Sequence, residues 1–581
     1  MYHGLVDRNG HRTDSFNASW GITASACYES CGSDKLLQNT VPSDIVGDLV
    51  NLLLPWLALT AQLPYASSSA WGNIMSLLLA VGSPALVTYS LALTIFNRRH
   101  IWTRFERIYQ EDSSSTMQGT LSKEAATPLK LLLEASLQEP LSHCHEREWL
   151  YRLGRFPRYR LWWLNVGAAL NASQRRVTLP FFVQIIIATV AWWLTIVANF
   201  YDWSATIPLE PILIGSIWVW MIPITYGWIA VSTQSRAGSI CEAVHSKGEG
   251  LSYKYLEPES KTARIGGVNK LTTRYIFDIA GDEQQEGPIY NYAKFFTAWR
   301  RVGTITDNFE SVKRPLAARG QLNGVGSVLE ISCAGPLTTP PPLYTEWKEI
   351  PSVLWSHLFI AFLATVFVQW GTTGPAIFAG YMAPQKEPGC FFGGLLIYVT
   401  AATVSWLLLV ASSLLSHEVM LRRQRAHSKE APCLPHDRLD RLESYGFIPY
   451  GIRICLITAL TRILGKSIAV GNAVWLIVWS FLQFSGKFQN CWCRADHQGG
   501  WLLLWSGDSP MHLPDDDILK YWIICAVLSS AGCYLASVLI WATMRRRTGP
   551  ARTMVVAVGL ILAFVIFAVV VTVAAFKTVG A

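Results

Sequence analysis

Three consecutive aspartates, Asp515, Asp516 and Asp517, form a run of carboxylates that could bind a divalent cation. Magnesium prefers oxygen ligands, and several carboxylates that converge on it can hold a diphosphate substrate. Such a site needs a second acidic cluster on the same face, and the nearby sequence offers only isolated aspartates. The run also follows Pro514, where a helix would begin and carboxylates would favour the helix dipole. Helix capping is therefore the favoured interpretation, with a catalytic role as the alternative.

Two further groups carry the donor atoms of a zinc or copper site. The first consists of four adjacent residues, His143, Cys144, His145 and Glu146. Adjacent residues do not easily wrap one tetrahedral ion, and no second pair lies nearby, so a solvated loop is favoured. The second group, Cys491, Cys493 and His497, lacks an evident fourth ligand. We predict no resident metal and no cofactor.

Five of the twelve cysteines lie in segments that fall on one side of the predicted membrane: Cys27, Cys31, Cys390, Cys491 and Cys493. On an oxidising side these thiols form disulfides. We predict that Cys390 pairs with Cys491 or Cys493. The second bridge is either Cys27 to Cys31 or one that uses the remaining thiol. Because five is odd, one thiol stays free.

Apolar stretches must position these groups, because they dominate the chain. Hydrophobic residues make up 51% of the sequence, charged residues only 15%, and the mean hydropathy is +0.27. A helix of about 17 to 25 apolar residues crosses the hydrocarbon core of a bilayer. Stretches with this character are 74–96, 179–200, 212–231, 353–370, 391–415, 468–484, 521–542 and 554–576. The sequence thus predicts an all-α membrane protein, a polytopic bundle of eight or nine transmembrane helices.

Basic residues predict the side on which each loop lies. Arg and Lys concentrate in the segments between alternate spans, 97–178, 234–351 and 417–467, which the positive-inside rule makes cytoplasmic. We expect the two larger of these blocks to form a small α+β cap, with a strand-like piece at 275–279. The segments 1–73 and 485–520 then lie outside.

The N-terminal segment decides between the two span counts. With eight spans it is external, and Asn17, in the sequon Asn17-Ala18-Ser19, becomes a glycosylation acceptor. Residues 52–61 form a short apolar run interrupted by Pro55, which we interpret as membrane-associated. If this run also spans, the count is nine and the N-terminus is cytoplasmic.

The spans themselves predict a largely uncharged interior. Asp, Glu, Lys and Arg are absent from the middle of every predicted span, which argues against a proton-driven pump. Asn472 is the deepest polar residue. Between two spans lies a Gly- and Thr-rich linker, Gly371, Thr372, Thr373 and Gly374, followed by Pro375. It forms either a re-entrant loop that lines a substrate path or a simple external loop.

Four phrases of the sequence resemble a group of multi-spanning membrane proteins of filamentous fungi: CYESCG at 27–32, LLPWLALTAQLP at 53–64, WGTTG at 370–374 and CWC at 491–493. The resemblance covers most of the chain. It implies the multi-spanning topology and a fungal origin, and it carries no site residue and no activity.

Two functional hypotheses follow from these features. The favoured one is a non-enzymatic membrane protein that moves or senses a small apolar or weakly polar molecule. The alternative is a membrane-embedded tailoring enzyme that acts on a lipid or terpenoid, with the Asp515 or His143 cluster as its catalytic group. The net charge of +8 requires no nucleic-acid partner, because basic loops face an anionic leaflet. We expect a multi-pass protein of the plasma membrane or a secretory-pathway membrane, with the lipid bilayer as its partner.

Overall fold

The fold is mainly helical, with one small sheet. The structure, a computed structural model, describes residues 4–7, 11–15, 19, 21–32, 54–63, 65, 67, 69–113, 123–137, 160–175, 183, 187, 190, 217–231, 243, 281–319, 344–381, 390–430, 452–485, 487–488, 490–494, 501–503, 528–529, 531–533 and 535–540. In chain order the elements are β1 (Leu5–Val6), β2 (Gly21–Thr23), α1 (Ala24–Cys31), α2 (Leu54–Thr60), α3 (Ala70–Gly82), α4 (Pro84–Ser113), α5 (Lys123–Ala135), α6 (Arg160–Ser173), α7 (Met221–Ala230), α8 (Asn291–Arg319), α9 (Ser352–Tyr381), α10 (Cys390–Glu430), α11 (Ile452–Phe484), α12 (Cys491–Arg494) and β3 (Trp501–Leu503).

Three of the described helices, α9, α10 and α11, are long and apolar enough to cross a membrane. The bent pair α3 and α4 would add a fourth crossing if it were a single span. Large apolar side chains are exposed along these helices, for example Phe359 on α9, Leu407 on α10 and Phe481 on α11. Exposed apolar belts of this kind face lipid in membrane proteins. The prediction of a helical membrane protein is confirmed.

The remaining predicted spans are represented only in part. Residues 217–230 and 531–540 form shorter apolar helices of 10 to 17 residues, which belong to the predicted spans 212–231 and 521–542. The predicted spans 179–200 and 554–576 lie outside the described residues, apart from single positions in the first. The count of eight or nine spans therefore stays a prediction.

Helices α10 and α11 form the most extensive helix pair of the described bundle, and they run antiparallel. Hydrogen bonds from side chains of one helix to backbone carbonyls of the other mark the whole seam. In order they are Trp475 Nε1 to Gly394 at 3.1 Å, Asn472 Nδ2 to Tyr398 at 2.9 Å, Ser405 Oγ to Gly465 at 2.8 Å and Ser412 Oγ to Thr458 at 3.0 Å. Such bonds hold membrane helices together where burial of apolar surface gives little driving force.

The two ends of this bundle differ in construction. At the end where α10 begins and α11 ends lie two disulfides and the antiparallel sheet β1-β2-β3. Beyond the opposite end, helices α5, α6 and α8 and the second half of α4 share a separate apolar core around Phe105, Leu132 and Trp163. The described part of this block is helical, so the predicted α+β cap is not found there. The proposed strand at 275–279 lies outside the described residues.

Helices α3 and α4 do not form the single straight span predicted for residues 74–96. They meet at Ser83 with a bend of 105°. The start of the pair contacts the segment 286–291, where Ser67 Oγ lies 3.5 Å from Glu286 Oε2. The second turn of α4 contacts the same segment, where Ser90 Oγ donates to the carbonyl of Ile289 at 2.6 Å. The bend itself reaches the middle of α11, where Gly82 packs against Ala469.

The bend fits the bundle because Gly82 has no side chain. A Cβ at Gly82 would lie 1.8 Å from the carbonyl oxygen of Ala469, so the backbones of α3 and α11 touch there. The Asn472 side chain donates to the Gly82 carbonyl at 2.7 Å, and Tyr398 Oη donates to the carbonyl of Val81 at 2.8 Å. These bonds satisfy the carbonyls that the interrupted helix leaves without partners.

We predict that Gly82→Ala destabilises the protein by about 1 to 3 kcal/mol, because the added methyl group would force α3 away from α11. The measurement is thermal unfolding in detergent micelles. Gly471→Ala is the matched control, since Gly471 lies on α11 beside the same contact and an added Cβ there meets nothing within 4 Å. Equal midpoints for the two variants would contradict a backbone contact at Gly82.

Candidate functional site

Two cations of α11 are the first components of the site. The hydropathy of the sequence puts Arg462 and Lys466 before a span that begins at residue 468. Instead α11 begins at Ile452, and the candidate span within it covers Ile454–Gln483, so both cations lie inside it. They are four residues apart and share the face that packs inward, with Arg462 only 2% exposed and Lys466 9% exposed. The predicted span 468–484 still contains no ionisable residue, but the helix extends 16 residues before it and buries both cations against the bundle.

The counterion comes from a distant part of the chain. A 3₁₀ turn, Gly281–Gln284, inserts Asp282 between α8, α10 and α11, where Asp282 is 4% exposed. Asp282 forms a salt bridge with Lys466 and accepts a hydrogen bond from Tyr292 Oη. A buried cation inside an apolar bundle requires such a partner, because the cost of removing a charge from water is several kcal/mol.

Gly281 allows the turn to approach this closely. It has a positive φ of +49°, a conformation that favours glycine, and a Cβ there would lie 1.8 Å from Nη1 of Arg462. The guanidinium therefore packs directly on the backbone of the turn. Arg462 also donates to Ser416 Oγ on α10 at 2.9 Å. The turn, α10 and α11 are thus joined through one polar cluster.

A small cavity opens beside this cluster. It is lined by charged and hydroxyl groups together with apolar surface: Asp282, Glu283, Tyr292, Ala293, Phe296, Thr297, Ser412, Ser413, Ser416, His417 and Arg462. A ring nitrogen of His417 lies 3.0 Å from the carbonyl of Thr345, and its imidazole contacts the rings of Phe296 and Trp347, each at a centroid distance of 4.8 Å. With an accessible volume of about 10 Å³, roughly that of one water molecule, the cavity is a narrow polar crevice in this conformation.

The pKa values of the adjacent acids Asp282 and Glu283 are shifted in opposite directions. Burial opposes ionisation of Asp282, but the charges of Lys466 and Arg462 and the hydrogen bonds from Lys466 and Tyr292 outweigh it and hold the pKa below its usual value. Burial raises the pKa of Glu283 to about 7, although Thr297, Tyr344 and Arg301 oppose this shift. Glu283 is therefore placed to exchange a proton near neutral pH while Asp282 stays ionised.

The predicted linker has a different structure from the one expected. Gly371, Thr372, Thr373 and Gly374 belong to α9, which continues through Pro375 to Tyr381. They form neither a re-entrant nor an external loop.

Helical packing explains this outcome. Thr372 Oγ1 bonds back to the carbonyl of Val368 at 2.7 Å, and the Thr372 carbonyl accepts a hydrogen bond from Ser529 at 2.6 Å. The backbone of Gly532 packs against that of Gly371. A role of this segment in a substrate path stays untested.

Asn472, the other predicted path residue, lies on α11 beside the α3–α4 bend. Its amide nitrogen donates to two carbonyls, those of Gly82 and Tyr398, which makes it a structural link between three helices. Asn472 lies six residues beyond Lys466 on α11. The same helix therefore contacts the bend and the charged cluster through turns that are close together.

The cysteines pair within the alternatives that the sequence left open. Cys390 bonds to Cys493, and Cys27 bonds to Cys491, while Cys31 is a free thiol. Cys27 to Cys31, the local alternative for the second bridge, is not the bond that is present. A metal site at Cys491 and Cys493 is also excluded in this state, because both thiols are in disulfides.

Several predicted site residues lie outside the described residues. They are Asn17, the cluster His143, Cys144, His145 and Glu146, the ligand candidate His497, and the run Asp515, Asp516 and Asp517. Their proposed roles in glycosylation, metal binding and catalysis stay predictions.

No protein family model, no curated protein and no solved structure matches this chain. The geometry of the molecule is therefore the basis for a functional proposal.

We predict that Lys466→Met destabilises the protein by about 3 kcal/mol, because it leaves Asp282 as a buried charge without its ammonium partner. The double variant Asp282→Asn with Lys466→Met should lose less than the sum of the two single losses, because the two charges interact. Thermal unfolding in detergent measures all three variants. Glu346→Gln serves as the control, since the pair of Glu346 with Arg425 is about half exposed and should contribute less than about 1 kcal/mol. Additive losses would contradict the coupling of Asp282 to Lys466.

Proposed function

We propose that this protein is a multi-pass membrane protein that moves or senses a small, weakly polar molecule through a conformational change at the Asp282 cluster. The observation that supports this proposal most directly is the buried salt bridge between Asp282 and Lys466, inside a candidate membrane span and beside a cavity. Ionisable residues are costly within a membrane and mark substrate or ion pathways.

The salt bridge is better suited to breaking and re-forming during a conformational change than to stabilising one fixed structure. A buried ion pair gains little over well-packed apolar side chains, because desolvation of the two charges offsets their attraction. Its partners belong to separate parts of the chain, a 3₁₀ turn and a spanning helix. Separation of the two partners would open the cavity between α8, α10 and α11, and protonation of Glu283 next to Asp282 would change the charge that holds the turn in place.

The broken pair α3 and α4 supports transport or sensing independently. Discontinuous helices whose ends meet inside the bundle are typical of transporter binding sites, where half-helices move relative to the rest. Here the break at Ser83 contacts α11 around Ala469 and Asn472. Next to it, the Lys466 ammonium of α11 lies 5.4 Å from the ring centroid of Tyr290, whose neighbour Ile289 accepts the hydrogen bond from α4. A movement of the turn 281–290 would therefore reach both the salt bridge and the break.

We infer the substrate class from the lining that the cavity would present once the salt bridge separates and the cavity widens. Phe296 and Ala293 offer apolar contact, while the hydroxyl oxygens of Thr297, Ser412 and Ser413, whose hydrogens already bond to backbone carbonyls, can accept hydrogen bonds. This combination fits a small molecule with one or two hydrogen-bond donors.

We further propose a topology in which the N-terminus lies outside. Cys27 is bonded to Cys491 just past the end of α11, while Ser67 contacts Glu286 in the segment predicted to be cytoplasmic. In the proposed topology these two contacts lie on opposite sides of the membrane. In this proposal the pair α3 and α4 is a re-entrant element that adds no crossing, and both its start and its second helix contact the segment 286–291. The number of crossings remains eight, and the basic loops remain cytoplasmic.

This topology predicts that Asn17 acquires an endoglycosidase-sensitive glycan in microsomes, and that Asn17→Gln removes it. A protease-protection assay of an N-terminal tag in sealed microsomes gives a second readout that does not depend on use of the sequon. A tag that is digested from the cytoplasmic side would contradict the external N-terminus.

The functional proposal predicts that the cavity changes its accessibility when the salt bridge is weakened. In Ser413→Cys, labelling by a membrane-impermeant maleimide should be at least about threefold faster when Asp282→Asn is also present, since Ser413 is partly buried and lines the cavity. Mass spectrometry of the peptide that contains residue 413 measures the rate.

Ser405→Cys is the control for unfolding. Ser405 lies on the same helix, is fully buried and donates to the Gly465 carbonyl, away from the cavity. Its labelling should stay slow in both backgrounds. Unchanged labelling at residue 413 would argue for a static site and against a moving one, and increased labelling at both positions would mean that Asp282→Asn only loosens the bundle.

A further inference from the structure

Three cysteine sulfurs meet at the end of the bundle opposite the charged cluster. The Sγ atoms of Cys27, Cys31 and Cys491 all lie within 4.8 Å of one another. Cys27 and Cys491 form a disulfide and are fully buried, whereas Cys31 is a free thiol that is partly exposed. A free thiol is therefore positioned beside a disulfide.

The free thiol lies on the same helix as one of the two bonded sulfurs. Cys27 and Cys31 are four residues apart on α1, so their side chains project from the same face of the helix. Cys31 is the last residue of α1, and the next residue, Gly32, has a φ of +76° and no atom within 4 Å of an added Cβ. The Cβ atoms of residues four apart in a helix lie about 5 to 6 Å apart, beyond the roughly 3.5 to 4.5 Å of a disulfide, so the last turn of α1 has to loosen for a Cys27–Cys31 bond to form, and the helix end has room to do so.

We propose that Cys31 is an exchange thiol that converts the long-range Cys27–Cys491 disulfide into a local Cys27–Cys31 disulfide. The Cys31 thiolate attacks the sulfur of Cys27, the Cys27–Cys31 bond forms, the Cys27–Cys491 bond breaks, and Cys491 leaves as a thiolate that takes up the proton lost by Cys31. The number of disulfides is unchanged, so the step needs no oxidant or reductant.

The exchange would remove one of the two long-range disulfides at this end of the bundle, Cys27–Cys491. Helix α12 remains attached to α10 through Cys390–Cys493, and β2 remains paired with β3. Only the covalent link between α1 and α12 is lost. Helix α1 would then be held against α12 by noncovalent contacts alone.

The test is a map of free thiols in the intact detergent-solubilised protein. Samples are incubated at pH 8.5, where thiolate is more abundant, then acidified, labelled with N-ethylmaleimide and digested without reduction. We expect label on Cys491 and a linked Cys27–Cys31 peptide in a fraction that grows to a plateau, together with label on Cys31 in the remainder. In Cys31→Ser the label on Cys491 should be absent. Label on Cys31 alone after long incubation, or a Cys31–Cys491 linkage with label on Cys27, would overturn the proposal.

A second variant tests the local bond without depending on the position of the equilibrium. In Cys491→Ser, Cys27 loses its long-range partner, and we expect Cys27 and Cys31 to form a disulfide and become unreactive to maleimide. Cys493→Ser is the matched control, because it removes the neighbouring disulfide and should leave Cys27–Cys491 intact and Cys31 reactive. Two reactive thiols at positions 27 and 31 in folded Cys491→Ser would overturn the proposal.

Discussion

The arrangement of the bundle depends on the need of two buried cations for a counterion. Arg462 and Lys466 lie on the buried face of α11, where little water can solvate them. The chain meets this need with a 3₁₀ turn from a segment nearly two hundred residues away, Asp282 lying 184 positions before Lys466. Fixing that turn also fixes the start of α8, because Tyr290 contacts Lys466 and the helix begins at the next residue. One electrostatic requirement thereby connects the membrane bundle to the helical block beside it.

Close backbone approach is the second condition for this architecture. Gly281 accommodates the guanidinium of Arg462, and Gly82 accommodates the backbone of α11 at the bend between α3 and α4. Both glycines lie where a methyl group would collide with a neighbour. Hydrogen bonds from Asn472 and Tyr398 then satisfy the carbonyls exposed at the bend, so an interrupted helix becomes compatible with an apolar environment.

Hydropathy was sufficient to predict the helical membrane fold and the cores of α9, α10 and α11, because length and polarity alone distinguish such helices. It did not reveal the burial of Arg462 and Lys466 on α11, because basic residues before an apolar run indicate an exposed flank and their partner Asp282 was too far away in sequence to be recognised. The signal that was present is the spacing of the two cations, four residues apart, which places them on one helical face. Ser83 and Pro84 inside the predicted span 74–96 carried a signal of the same kind, since proline after a helix stop begins a new helix. The Gly- and Thr-rich segment of α9 shows the opposite error, because glycine and threonine pack well between membrane helices and do not by themselves indicate a loop.

The Cys27–Cys491 disulfide has a consequence for the biogenesis of the protein. The bond joins residues 464 positions apart, so the N-terminal thiol is synthesised long before its partner. At translation rates of about 5 to 20 residues per second, Cys27 waits for roughly 20 to 90 seconds while the spans between them are inserted. During that interval Cys31 is the only other cysteine that has been made in its neighbourhood of the sequence. If the exchange proposed for Cys31 operates, Cys31 is the partner available to Cys27 during synthesis, and the Cys27–Cys491 bond can form only after residue 491 has been made.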